Sequence, residues 1–226
     1  MGAVLVMVAF SVQLFVRASG EDLARCERFS QASTARLAAD AGPVEGRRVV
    51  VIGDSWSVGL GLDRPAASWP SRLAAELGAR VHVAGFSGSG FGAFSSPCGR
   101  VSFGDRAARA LPGAGSGAEL VVVEGGLNDV DASDSSIATG FRKVLREAGD
   151  RQVLVVGPAS APARAALVPD VDGLLARLSA QHGVAYLSTT DLELPYLADG
   201  LHLTEAGHRA FGDAVAAAIA DLPAAR

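Results

Sequence analysis

Residues 47–55 read Arg47-Arg48-Val49-Val50-Val51-Ile52-Gly53-Asp54-Ser55, and this stretch decides the fold class. A β-branched run ending in glycine has no polar face. That is the profile of a parallel strand covered on both sides, not of a half-exposed one. Working outward, similar runs return at ARVHVAG (79–85), AELVVVEGG (118–126), QVLVVG (152–157) and GVAYLS (183–188). Between them the pattern predicts helices over Ser68–Leu77, with Pro70 in the first turn, over Ile137–Ala148 and over Ala163–Gln181. A last helix starts near Thr204, with Glu205 in its first turn. Residues 85–118 are expected to form a Gly/Ser-rich stretch and a loop, with Gly113–Gly117 a small flexible insertion. Alternating strands and helices indicate one α/β domain with a five-stranded parallel sheet between two helical layers, connected by right-handed crossovers. In such sheets the reactive residues gather where strands end.

The chain has 226 residues, 49% of them apolar and 19% charged, enough for one such domain and too few for two. A net charge of -4 argues against a nucleic-acid partner, which needs a basic face to displace counterions. Lys143 is the only lysine, and no basic run carries interleaved aromatics.

The N-terminus differs in kind. Residues 3–16 (AVLVMVAFSVQLFV) are apolar apart from Ser11 and Gln13, and fall short of the roughly 20 residues that span a bilayer. They fit the apolar core of a signal peptide, with Ala18-Ser19-Gly20 as a small-residue cleavage site, although no Lys or Arg precedes them. A membrane anchor and a buried first helix are the alternatives. The expected organisation is a signal peptide or anchor over 1–20, an N-terminal helix and linker over 21–43 broken at Gly42-Pro43, and the α/β domain over 44–226. The setting this implies is export, to the cell envelope or beyond, with envelope or membrane association through residues 3–16. In an exported chain Cys26 and Cys98 can form one disulfide, and in a cytosolic one both stay reduced. A lipoprotein reading of Cys26 is rejected, because Arg25 stands where a lipobox needs a small residue.

Four short motifs carry the chemistry. Gly53-Asp54-Ser55 follows the first strand, where a serine on a tight strand-to-helix turn can expose its hydroxyl. Asp199-Gly200-Leu201-His202 precedes the last helix, and a carboxylate three residues ahead can hold one imidazole nitrogen while the other accepts a serine proton. Asn128, in Gly126-Leu127-Asn128-Asp129 after the third strand, offers a side-chain amide to a developing oxyanion. Gly88, after the second strand, offers a backbone N–H. Taken singly, GDS is a common turn and DGLH a surface turn feeding a helix.

In the order Ser, Gly, Asn, Asp-x-x-His, these blocks resemble the SGNH/GDSL hydrolase superfamily over about residues 47–222. The resemblance implies a flavodoxin-like sheet, with Ser55 as nucleophile, His202 as general base and then acid, and Asp199 orienting His202. It implies an oxyanion hole of the Ser55 and Gly88 N–H groups and the Asn128 amide. The implied reaction is hydrolysis of an acyl ester, of lipid or O-acetylated carbohydrate type, through an acyl-enzyme, with no metal or organic cofactor. An acyltransferase using the same triad and a catalytically idle exported binding module are the alternatives. Two positions depart from the family's pattern. Trp56 replaces a leucine, implying a reshaped acyl pocket, and Val83 replaces an asparagine, implying one absent supporting hydrogen bond.

Rival readings are weaker. Gly85-Phe86-Ser87-Gly88-Ser89 lacks the last glycine of a G-x-S-x-G elbow, and the glycines over 85–92 lack dinucleotide-loop spacing. His82, His182 and His208 have no ligand spacing and read as structural or solvent-facing. Asp129 and Asp131 read as turn or capping residues, with Asp129 placed to brace the site. Phe91, Phe94 and Phe103 are candidates either for an acyl pocket or for the core.

Overall fold

The computed structural model describes residues 21–37, 46–93, 98–113 and 118–223. Five parallel strands, β1 (Arg48–Gly53), β2 (Arg80–Gly85), β3 (Ala118–Glu124), β4 (Gln152–Val156) and β5 (Ala185–Leu187), form one sheet in the order β2-β1-β3-β4-β5. The helices are α1 (21–37), α2 (Ser55–Val58), α3 (Trp69–Leu77), α4 (Phe103–Gly113), α5 (Asp134–Ala148), α6 (Val168–His182) and α7 (Glu205–Ala220). The pleat explains the unbroken apolar strands. Val49 and Val51 face a core with Trp69, Leu73, Phe211 and Val215 from α3 and α7, while Val50 and Ile52 face a second core with Phe103, Phe141 and Leu175 from α4, α5 and α6. The chain runs outward from β1 to β2 and then returns past β1 to β3. The strand order therefore reverses between β1 and β3, and their C-terminal ends open the crevice where α/β sheets bind ligands.

The expected five-stranded α/β architecture is present. Three boundaries differ from expectation. The stretch 85–118, expected as loop, contains α4, whose Phe103, Ala107, Ala110 and Leu111 form one buried helical face. Gly104, Pro112 and Gly113 disguise it in the sequence, and 114–117 lie outside the described residues. Helix α6 begins at Val168, with Pro169 in its first turn, and not at Ala163. Residues 161–167 instead form successive turns, with Ala163 N–H donating to Gly200 O at 2.9 Å. Helix α5 starts three residues early because Ser133 caps it, accepting from Ser136 N–H. The expected segment 1–20 and the break at Gly42-Pro43 lie outside the described residues.

Helix α1 packs on the body near the end of β2. Ser33 Oγ donates to Gly85 O at 2.6 Å, Phe29 meets Phe86 edge-on with ring centroids 6.1 Å apart, and Arg36 donates to Ser71 Oγ. Cys26 and Cys98 form a disulfide with Cα atoms 5.2 Å apart, closing a loop across 72 positions. Restricting a loop of that length in the unfolded chain stabilises by roughly 2–4 kcal/mol. Reduction, or the pair Cys26→Ser with Cys98→Ser, is expected to lower the urea midpoint accordingly. An unchanged midpoint would mean that α1 is held by its packing alone.

His208 on α7 is 1% exposed, and its Nδ1 accepts Trp69 N–H at 3.3 Å, which places the ring proton on Nε2. Burial, aided by the charge of His202, depresses it from 6.5 to about 4. The unfolded chain takes up that proton near 6.5 and the folded chain only near 4, so stability falls as pH drops through this window. The expected loss from pH 7 to 4 is roughly 2–3 kcal/mol, read from urea midpoints and diminished in His208→Asn, whose amide oxygen can still accept from Trp69.

Candidate active site

β1 ends at Gly53, and Asp54 caps the short α2, its Oδ1 accepting Trp56 N–H at 2.9 Å. That cap places Ser55 on the first residue of α2, at the sheet's C-terminal edge. From the other side comes the turn before α7, where Gly200, at φ 63°, takes a left-handed conformation that favours glycine. Asp199 Oδ1 accepts the N–H groups of Leu201 and His202, both at 2.9 Å, fixing the turn. Its Oδ2 lies 2.6 Å from His202 Nδ1, and His202 Nε2 lies 3.2 Å from Ser55 Oγ. Partial burial acts to raise the Asp199 carboxyl, but the hydrogen bonds from His202 and Leu201 outweigh it and hold it at about 2. An ionised Asp199 accepts only, so His202 carries its proton on Nδ1 and Nε2 is free to accept from the Ser55 hydroxyl. The structure thus brings Ser55, His202 and Asp199 into one relay.

Asn128 sits on a 3-10 turn (Leu127–Asp129) directly after β3. Its Nδ2 donates to Asp54 Oδ2 and to Ser89 O, both at 3.0 Å, and its Oδ1 accepts from Arg164 Nη1 at 3.1 Å. Both amide hydrogens therefore have partners within the chain. An oxyanion must share one of them or displace a partner. Gly88, at φ 76°, makes the left-handed turn that leads into Ser89. Asp129 is fully buried and gathers the loop, its carboxylate accepting the N–H groups of Phe91, Gly92 and Ala93 at 2.8–3.0 Å. Burial raises its carboxyl, and the three N–H groups oppose that rise.

Trp56 does not shape an acyl pocket. It is 2% exposed, packs against Phe211 and Tyr196, and donates from Nε1 to Leu201 O at 3.1 Å, so it ties the serine helix to the histidine turn. Phe91 and Phe103 are core residues as well, packed edge-on with centroids 4.9 Å apart, and Phe91 also packs on Phe141. Phe94 lies outside the described residues. Val83 is buried in the core shared with α3 and α7. His182 ends α6 beside Phe141, and His82 lies within β2. Among the described residues no group of three or more His, Cys, Asp or Glu side chains could hold a metal ion.

Several residues around the site escaped the sequence reading. Arg106 on α4 is 5% exposed and donates to Gly53 O, Ala84 O, Val101 O and Ser89 Oγ. Burial lowers it to about 9, so it is still a cation at neutral pH. Glu124, at the end of β3, accepts from Ser57 Oγ at 2.7 Å, and burial raises its carboxyl well above the usual range. Asp54 is raised to about 6 by burial, against the pull of the Trp56 N–H and of the His202 and Arg106 charges. The position of Arg106 on the apolar stripe of α4 would have singled it out had that helix been recognised.

The sheet order and the relay at its C-terminal edge define an SGNH-type α/β fold. The profile of the GDSL-like lipase/acylhydrolase family matches residues 51–210, and the chain belongs to that family. Among solved structures it is similar to Est24, a carbohydrate acetylesterase from Sinorhizobium meliloti, at 21% identity and a TM-score of 0.66, covering 77% of this chain and 98% of that one. It is similar to an aryl esterase from M. smegmatis at 20% identity and a TM-score of 0.67, covering 78% and 100%. A third is a putative arylesterase from Agrobacterium tumefaciens, at 24% identity and a TM-score of 0.64, covering 78% and 100%. At these identities the likeness is one of fold. A search of curated protein sequences finds no match.

Proposed function

We propose that the chain is a serine esterase that hydrolyses acyl esters through an acyl-enzyme. The observation that carries this reading is the continuous relay from Ser55 Oγ to His202 Nε2, and from His202 Nδ1 to Asp199 Oδ2. Ser55 Oγ attacks the ester carbonyl as His202 Nε2 takes its proton. The tetrahedral oxyanion is met by the N–H groups of Ser55 and Gly88 and the amide of Asn128. Collapse expels the alcohol, which leaves with the proton from His202. Water then gives a proton to His202, attacks the acyl carbon and restores Ser55 as the acid departs. The Asp199 carboxylate offsets the imidazolium charge in both halves.

The substrate reading is a small acyl ester on a carbohydrate or aryl alcohol. It is supported by family membership and by the fold shared with structures described as carbohydrate acetylesterases and aryl esterases. We place the protein outside the cytoplasm, a reading supported by the Cys26–Cys98 disulfide and the apolar residues 3–16.

The test combines nitrophenyl acetate, butyrate and octanoate with acetylated xylan, and adds a fluorophosphonate probe that labels activated serines. Hydrolysis of the acetates and mass labelling confined to the peptide bearing Ser55 are expected. Labelling at Ser87 would overturn the assignment. A folded, unlabelled and inactive protein would favour the idle binding module.

A further inference from the structure

Arg164 is a half-buried cation whose side-chain hydrogen bonds, among the described residues, go to one short turn. Its Nη1 donates to Leu127 O and, at 3.1 Å, to Asn128 Oδ1. Among the described residues no carboxylate lies within ion-pair distance of it. A guanidinium that satisfied a surface charge would have such a partner. This one is spent on neutral oxygens beside the relay.

The segment that carries it is built for the purpose. Residues 161–167 turn on themselves through Arg164 N–H to Ala161 O at 2.8 Å and Leu167 N–H to Arg164 O at 2.9 Å. The same segment is stapled to the catalytic turn by Ala163 N–H to Gly200 O at 2.9 Å. The 161–167 segment therefore links the two turns, Ala163 holding the one with Asp199 and His202 and Arg164 the one with Asn128.

An asparagine amide has two orientations, related by a flip about its terminal torsion. Only one of them presents N–H groups to Asp54, Ser89 and an incoming oxyanion. The flipped amide would set its NH2 against Arg164, donor against donor, and its oxygen against the Asp54 carboxylate. Arg164 at the oxygen end and Asp54 at the nitrogen end thus select one state. A cation on Oδ1 also draws electron density from the amide, which makes each Nδ2–H a stronger donor.

We infer that Arg164 is a positioning residue of the oxyanion hole, orienting and polarising the Asn128 amide that meets the tetrahedral intermediate. This inference rests on the esterase reading above. Because the oxyanion exists only along the reaction path, the role acts on kcat and leaves substrate binding nearly unchanged.

The experiment is a double-mutant cycle of Arg164→Ala and Asn128→Ala on a short nitrophenyl ester, with Ser55→Ala as the control for the underlying chemistry. Arg164→Ala is expected to lower kcat roughly 10–100-fold, with KM changed by less than about 3-fold. In the Asn128→Ala background the same change is expected to cost less than about 2-fold, because the group it acts through is gone. Arg164→Lys, which keeps the charge on a shorter side chain without the planar guanidinium, should fall between wild type and alanine. If Arg164→Ala fails to fold, Arg164→Lys carries the same cycle. Equal losses in both backgrounds, or a rise confined to KM, would overturn the inference. Activity surviving Ser55→Ala would instead overturn the esterase reading on which it stands.

Discussion

Ser55→Ala and His202→Ala are each expected to reduce kcat on a short ester by roughly 10⁴- to 10⁶-fold, and the double variant by no more than either alone. The reason lies in the geometry of the relay. Ser55 Oγ and His202 Nε2 share one hydrogen bond of 3.2 Å, so attack and proton removal are a single event, and losing either partner loses both. Asp199→Asn is expected to cost less, about 10⁴-fold at most. The Asp199 side chain is 49% exposed, so water can replace part of its stabilisation of the imidazolium, and an asparagine Oδ1 can still accept the Leu201 and His202 N–H groups that fix the turn. The measurement is single-turnover kinetics with thermal melts on each variant. A double variant far below both single ones would mean that the two residues act independently and that the relay is not the catalytic unit.

The strands and the convergence of Ser55, Asp199 and His202 were legible in the sequence for a shared reason. A buried parallel strand must be apolar on both faces, so runs such as Val49–Ile52 and Leu120–Val123 admit one reading, and the ends of strands then locate the site. Asp199 and His202 lie three positions apart, and their hydrogen bond is local. What was not legible depends on contacts between distant positions. Arg164 reaches Asn128 across 36 positions and Trp56 reaches Leu201 across 145, and nothing in either neighbourhood announces the partner. The sequence around Trp56 invites a pocket reading, but the fold places its indole in the core against Phe211. Helix α4 was missed because glycine and proline are punctuation in a sequence, whereas Gly104 is needed where a Cβ would press on Lys143.

Arg106→Leu, on that unread helix, is expected to lower global stability by roughly 3–5 kcal/mol and to lower the activity of the molecules still folded. The leucine keeps most of the volume, so the loss is electrostatic. The guanidinium ties the carbonyl ends of β1 and β2, at Gly53 and Ala84, to Val101 O and Ser89 Oγ in the loop that follows. Gly53 O keeps a second donor in Phe86 N–H and Ser89 Oγ keeps its own bond to Phe86 O, whereas Ala84 O and Val101 O lose a charged donor inside the protein, at about 1–3 kcal/mol for each group left unsatisfied. Removal of a buried cation also returns its own desolvation cost, which keeps the total below the sum. The activity follows from Asp54, whose carboxyl the Arg106 charge holds down against burial. Without that charge Asp54 is more fully protonated at neutral pH, so its Oδ2 becomes a poorer acceptor for the Asn128 amide and that end of the amide is released. Arg106→Lys separates the two effects. A lysine restores the charge near Asp54 but cannot reach several acceptors with one ammonium, so kcat should recover further than the urea midpoint. Equal recovery of both, or of neither, would mean that the charge of Arg106 does not reach the site through Asp54.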